Sequence, residues 1–307
     1  MRHLLTLADL DTDEIKEILT ISSDIKKQHT EGVRPDLLKN RSLALLFEKP
    51  SLRTRVSFET AIGQLGGQSL YLGNDVGWGH REPIADFSSV LSQYADFVVC
   101  RTFGHEKIEE LARYATCPVI NGLTNQFHPC QTLADLLTIQ EHFETLSGLK
   151  VAYLGAVGNV ARSLAIGCRK MGISFALATP EEYAIEPDLL EQLKAFPANG
   201  ELFTTDNPSQ AIEGANIVYA DVWTSMGQEE ESVIRRKALA PFQINASLME
   251  RADPKAIFLH CLPAHRGEEV TSDIIDGPQS LIIKQAANRM HAQKGILTWL
   301  DRANHSS

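Results

Sequence analysis

The chain has 307 residues, 43% of them apolar and 22% charged, a composition that fits a globular protein and excludes intrinsic disorder. Lys and Arg number 29 against 39 Asp and Glu, for a net charge of −10. That balance argues against a general nucleic-acid binder but is compatible with an anionic small substrate held in a local basic pocket. No apolar run approaches the ~20 residues that cross a membrane, and the stretch from Met1 turns acidic too soon for a secretory signal. The cysteines Cys100, Cys117, Cys130, Cys168 and Cys261 are odd in number and form no C-x-x-C pair. Reduced thiols in a cytoplasmic protein are the expectation.

In chain order, short apolar runs alternate with helical patterns. Leu43–Phe47 reads as a buried parallel strand, followed by a helical stretch at Val56–Leu65. Phe97–Cys100 is a second strand, and Leu133–His142 is helical. Strand Val151–Leu154 leads to helix Val160–Met171, and Ile217–Ala220 and Ile257–Leu259 are further strands. Gln285–Leu300 is a final amphipathic stretch. The alternation predicts an α/β fold of two domains, each a parallel β-sheet flanked by helices, joined by interdomain helices. The turn-like Ser147-Gly148 places the boundary near Glu144–Gly148. The expected domains are 1–146 and 147–284, with 285–307 a terminal helix packing back on the first. Ligands in such folds bind at the carboxyl ends of strands, often between domains, so the residues after each strand are where chemistry is expected.

After the first strand come Pro50, Ser51, Leu52, Arg53, Thr54 and Arg55. A helix start with hydroxyls and guanidinium groups suits a phosphate, and it equally suits an N-capped helix with solvated arginines. Arg101 ends a buried strand; taken alone, it is expected to pair with a carboxylate. His128 and Gln131 open a helix and can face one cleft, where a neutral His donates to a carbonyl oxygen, or they serve as turn and cap. Gly155-Ala156-Val157-Gly158-Asn159 does not satisfy the G-x-G-x-x-G dinucleotide fingerprint, and a tight strand–helix turn fits it at least as well. Asp221 at a strand end can hold an ammonium group, with Ser225 and the Met226–Gly227 backbone nearby, and Gln228–Ser232 reads as a lid or a solvated helix start. His260-Cys261 with His128 and Cys130 raises the question of zinc, but neighbours on a strand point in opposite directions and no zinc spacing is present. Cys261 is also a candidate nucleophile, without an identified base.

Taken together, FEKPSLRTRVSF (Phe47–Phe58), RTF (Arg101–Phe103), FHPCQTLAD (Phe127–Asp135), DVWTSMGQ (Asp221–Gln228), HCLPAHRGEEV (His260–Val270) and NRMHAQK (Asn288–Lys294) resemble the aspartate/ornithine carbamoyltransferase family. They stand in the family's order along the whole chain, and the D-x-x-x-S-M-G segment is similar to that of its ornithine branch. The resemblance implies a carbamoyl-phosphate-binding domain followed by an ornithine-binding domain, no metal or organic cofactor, and a homotrimer or multiple of trimers with shared sites. It implies that Ser51, the Leu52 backbone, Arg53 and Thr54 hold the phosphate. Arg101 and His128 would polarise the carbamoyl oxygen, helped by Thr54, while Gln131, the Cys261–Leu262 backbone and Arg289 fix the carbamoyl group. Asn159 and the Met226 backbone would take the ornithine carboxylate, Asp221 and Ser225 its α-amino group, with Cys261 near the side-chain amine. Arg101, His128 and Cys261 are thus the expected catalytic set.

Three departures accompany the match. Leu52 stands where the family often has Thr, which preserves a backbone contact and removes a hydroxyl. The family's Q-L-G-R-G-E loop, whose Gln reaches a neighbouring subunit's phosphate, is here Gly77-Trp78-Gly79-His80-Arg81-Glu82, which leaves Trp78, His80 and Arg81 as candidate replacements. Of the family's G-D-G-N-N-V turn, only the second Asn survives, as Asn159. The expected activity is carbamoyl transfer to L-ornithine in arginine metabolism. The alternatives are transfer to putrescine or an N-acylornithine, or a catalytically silent carbamoyl-phosphate binder.

Overall fold

The computed structural model describes residues 1–196, 200–224 and 229–305. The chain forms two compact units, one of residues 1–137 with 287–307, the other of residues 138–286. In the first unit, helix α1 (Thr12–Thr30) precedes strand β1 (Ser42–Phe47) and helix α2 (Leu52–Gln64). Strand β2 (Gln68–Leu72), helix α3 (Ile84–Leu91), strand β3 (Phe97–Arg101), helix α4 (His105–Tyr114) and strand β4 (Val119–Leu123) follow. Helix α5 (Pro129–Phe143) carries the chain into the second unit. There, β5 (Lys150–Leu154), α6 (Asn159–Met171), β6 (Ser174–Ala178), α7 (Pro187–Ala195), β7 (Leu202–Thr205), α8 (Pro208–Ile212) and β8 (Ile217–Ala220) alternate. Helices α9 (Ser232–Leu239) and α10 (Ala246–Met249), strand β9 (Ile257–His260) and helix α11 (Ser272–Ile275) complete that unit, and α12 (Ile282–His305) returns to the first.

Each unit is built on one parallel sheet, as the sequence predicts, with strand order β2-β1-β3-β4 in the first and β7-β6-β5-β8-β9 in the second. In both, the order reverses once, beside β1 and β3 in the first sheet and beside β5 and β8 in the second. Such a switch point leaves a crevice outside the carboxyl ends of the strands. The register places specific residues there. Phe47 pairs with Arg101, and Glu48 donates its N–H to the Arg101 carbonyl at 2.8 Å. Between Cys100 and Arg101 the register against β4 shifts, so Arg101 stands opposite Leu123.

Strands β1 and β3 are buried along their whole length, which explains their unbroken apolar runs. The second core gathers Leu154, Val218, Phe258, Trp223 and Phe242 around the other sheet. Helix α12 lies close to α1, and Gly295 permits the approach. A Cβ there would meet Ser22 Oγ and stand 2.7 Å from the Ile18 carbonyl oxygen. Alanine would favour the helix by about 1 kcal/mol, whereas overpacking costs about 1–3 kcal/mol and a helix carbonyl cannot rotate away. Gly295→Ala is therefore expected to lower the thermal midpoint despite its better helix propensity, a sign that calorimetric unfolding reads directly.

Candidate functional site

In the first unit, the turn after β1 opens α2 with Ser51 as N-cap. Its Oγ accepts from the Thr54 N–H at 3.3 Å and donates to Thr54 Oγ1 at 3.0 Å. The first turn of α2 contains no acidic residue, so the positive end of its dipole is not offset by side chains. Leu52 points outward, 75% exposed, leaving its backbone N–H as its polar contribution at the helix start.

Arg101 is buried at the end of β3. No carboxylate among the described residues pairs with it, and its Nε has no hydrogen-bond partner. The expectation of an Arg–carboxylate pair is thus corrected: Glu48, beside Arg101 across the strand pair, is taken by Lys107 at 2.8 Å and by the Thr102 hydroxyl. Burial, then the neighbouring guanidinium groups of Arg289 and Arg53, push the Arg101 pKa down to about 10. Burial and Arg289, Arg101 and Arg53 also hold His128 well below its ordinary pKa, so its imidazole is neutral at pH 7. Arg289, on α12, donates to Gln131 Oε1 at 2.7 Å and to Thr54 Oγ1 at 3.4 Å, while Gln131 Nε2 is fixed by Asp135 Oδ1 at 2.9 Å. The structure therefore gathers Ser51, Leu52, Arg53, Thr54, Arg101, His128, Gln131 and Arg289 around one cluster of like charge. A bound anion with several oxygens is what such a cluster can stabilise.

One participant of the first unit escaped the sequence reading. Lys49 is buried, donates to Asn125 Oδ1 at 2.6 Å and lies 3.8 Å from the centre of the Phe103 ring. It ties the turn after β1 to the loop that leads to His128, and burial, then Arg101, lowers its pKa to about 8. Its sequence signal was only a lysine beside a buried strand end. Of the candidate replacements in the 77–82 loop, Trp78 is a core residue, buried beside Phe87, whereas His80 and Arg81 are exposed.

The second unit brings Asp221 and Cys261 together. Cys261 Sγ lies 3.0 Å from Asp221 Oδ1, which also accepts the Val222 N–H at 2.8 Å. These side chains sit at the carboxyl ends of β8 and β9. Across the switch point, Asn159 opens α6 after Gly155, whose φ of +133° suits glycine. Ser225 and Met226 lie outside the described residues.

His260 is buried and turned away from Cys261, as strand alternation requires. Its Nδ1 accepts the Leu262 N–H at 2.9 Å, and its Nε2 lies 3.2 Å from Glu269 Oε1. Glu269 Oε1 also accepts the His265 N–H at 2.6 Å, and Gln285 joins the His260 N–H at 2.9 Å to the Tyr219 hydroxyl at 3.1 Å. Glu269 and Gln285 thus hold the Cys261–Leu262 turn in place, roles without any short-range sequence signal. Cys130, the other half of the zinc question, is buried and donates to the Asn121 carbonyl at 3.3 Å.

Comparison with known proteins agrees with both halves of this geometry. Residues 2–141 match the family model described as aspartate/ornithine carbamoyltransferase, carbamoyl-P binding domain. Residues 147–300 match aspartate/ornithine carbamoyltransferase, Asp/Orn binding domain. The chain is 48% identical over 299 residues to an ornithine carbamoyltransferase of Bacillus subtilis, covering 96% of this chain and 92% of that protein. It is 45% identical over 298 residues to one from Archaeoglobus fulgidus, covering 97% and 96%. The solved structure of the ornithine carbamoyltransferase from Pyrococcus furiosus superposes with a TM-score of 0.94 at 46% identity, covering 96% of each chain. The chain belongs to the aspartate/ornithine carbamoyltransferase family.

Proposed function

We propose that the protein transfers the carbamoyl group of carbamoyl phosphate to the side-chain amine of L-ornithine, giving L-citrulline and phosphate in arginine metabolism. The observation that carries this reading is the buried Arg101, without a carboxylate partner among the described residues, beside Arg289, Arg53 and a neutral His128. An anionic substrate completes that charge balance. Ser51, Leu52 through its backbone, Arg53 and Thr54 at the start of α2 take the phosphate. Gln131 and Arg289, with the backbone of Cys261 and Leu262, fix the carbamoyl group. Asn159 and Met226 hold the ornithine carboxylate. Asp221 and Ser225 hold its α-amino group, and Cys261 lies beside the reacting amine.

The chemistry follows from where charge moves. The uncharged amine attacks the carbamoyl carbon, a C–N bond forms, and negative charge grows on the carbamoyl oxygen. Arg101 and His128 are the donors assigned to that oxygen, with the Thr54 hydroxyl. The C–O bond to phosphate then breaks, the phosphate leaves into the positive end of α2, and the amine's surplus proton departs with it. The arginines disfavour a second cation at the carbon, which selects the neutral amine. We further assign a cytoplasmic location and a homotrimer, or multiple of trimers. The five cysteines are free thiols. Leu52, Val56, Leu70 and Tyr71, on α2 and β2, form an exposed apolar set on the first unit that is suited to a subunit contact.

The direct test presents carbamoyl phosphate with ornithine, putrescine or N-acetylornithine and identifies the ureido product by mass. Citrulline is expected to dominate. Carbamoylputrescine or acetylcitrulline as the main product would overturn the ornithine assignment, and carbamoyl-phosphate binding without any product would overturn the enzymatic one. Arg101→Gln is expected to lower kcat by about 10²–10³, the usual cost of one oxyanion donor, with an unchanged circular dichroism spectrum. A loss below tenfold would remove Arg101 from that role. Since burial and three arginines disfavour the imidazolium, His128 should remain neutral as pH falls through 6.5. An NMR titration, with the His128 signal identified from a His128→Asn variant, should place its midpoint below 6.5, and a midpoint at or above that value would contradict the charge cluster.

A further inference from the structure

Arg235, in α9, is a buried cation that no step of the chemistry above uses, only 8% exposed while the adjacent Arg236 and Lys237 face solvent. Helix formation does not require a buried charge there, since an apolar side chain would fill the same position without desolvating a guanidinium. The contacts of Arg235 account for it. Its Nε donates to the Trp223 carbonyl at 2.6 Å. The guanidinium carbon lies 4.4 Å from the centre of the Tyr183 ring. At the outer edge, Nη1 is 3.6 Å from Glu231, whose carboxylate is largely exposed.

Trp223 belongs to a segment assigned to the amino-acid substrate, and Tyr183 holds the other one in place. Trp223 stands two residues after Asp221, and its indole lies over the turn after β5, where a Cβ on Gly155 would come within 3.9 Å of Trp223 Cδ1. Tyr183 grips the same turn through its backbone: its carbonyl accepts the Val157 N–H at 3.0 Å and the Thr179 hydroxyl at 3.1 Å. Val157 is two residues before Asn159. One guanidinium therefore connects the segment that carries Asp221, through its Nε–H, to the turn that carries Asn159, through the Tyr183 ring under its face.

We propose that Arg235, with Tyr183 as its platform, is a positioning residue for the amino-acid substrate, setting the separation between Asp221 and Asn159. The proposal rests on the ornithine reading and adds to it residues beyond the substrate contacts themselves. An α-amino group and an α-carboxylate share one carbon, so their ligands must keep a constant spacing. A planar guanidinium suits the task because its edge donates hydrogen bonds while its face stacks, a combination that lysine lacks.

The test is steady-state kinetics of Arg235→Ala, Arg235→Lys and Tyr183→Leu, each substrate being varied in turn and citrulline measured. Arg235→Ala should raise the ornithine KM about tenfold, the scale of one lost charged hydrogen bond, with the carbamoyl-phosphate KM within about twofold of the parent. Arg235→Lys should recover part of the loss, because the donor returns without the stacked plane. Tyr183→Leu should raise the same KM by at least about threefold while retaining its backbone contacts. If Arg235→Ala does not fold, Tyr183→Leu decides alone. An ornithine KM below these limits, or a carbamoyl-phosphate KM that rises equally, would overturn the proposal, since general loosening would weaken both substrates. A parent protein that forms no citrulline would overturn the ornithine reading and this inference together. An active parent with unaffected variants would overturn the inference alone.

Discussion

A buried positive charge that meets no carboxylate among the described residues sets the terms for the first unit. Arg101 occupies the carboxyl end of β3, where Arg289 and Arg53 make its charge more costly still. Burying an ion costs several kcal/mol even after relaxation. The fold must therefore supply both a rigid frame and neutral acceptors. The frame is the central strand pair, whose register sets Arg101 opposite Phe47 and beside the opening of α2. The acceptors for Arg289 include Gln131 and Thr54, which bind a guanidinium without cancelling its charge. Had an acid stood at position 131 or 54, the cluster would be neutralised before any substrate arrived. Asp135, one turn further along α5, instead orients the Gln131 amide.

The second unit solves the complementary problem with the same topology. Two neighbouring strand ends, of β8 and β9, again meet at the carboxyl edge of the sheet, but here the chemistry is an acid and a thiol, Asp221 and Cys261. The turn after β9 puts Leu262 in the left-handed region, at φ +59°, which a branched side chain rarely adopts. Hydrogen bonds on both sides hold it: Leu262 donates to His260, and His260 is fixed by Glu269 and Gln285. The polar residues beneath this turn act on its geometry and leave the Cys261 thiol beside Asp221.

How much of this was legible depended on where each residue's partners lie. Strands β1, β3, β5 and β8 announced themselves because central parallel strands are buried on both faces and carry unbroken apolar runs, and β9, at the sheet edge, did so because it is also buried along its length. The edge strands β2 and β7 did not, since Gln68–Leu72 and Leu202–Thr205 are half exposed and read as mixed polarity. Strand β4 was hidden by Asn121 and Gly122, and Asn121 is tolerated inside because its amide reaches the Leu5 carbonyl at 2.9 Å. Ser51 and Arg53 were visible as a local pattern. Arg289 was not, because Gln131 and Thr54 lie 158 and 235 residues away, and only the family resemblance singled it out. Trp78 shows the converse limit, for an aromatic residue in a functional-looking loop is here a core side chain.

The second sheet also shows why strand order alone cannot name a ligand. The order β7-β6-β5-β8-β9 is that of five of the six strands of a dinucleotide-binding fold, and the first strand–helix turn is glycine-containing. A dinucleotide needs backbone open to a pyrophosphate at that turn and an acid near the end of the second strand for the ribose. Here the turn leads into Asn159, and its Val157 N–H is already given to the Tyr183 carbonyl. At the end of β6 stands Thr179, buried, with its hydroxyl on that same carbonyl. Tyr183, with the guanidinium of Arg235 stacked on it, is what this turn packs against instead. The shared topology supplies the crevice, and the side chains around it, not the strand order, decide what it can hold.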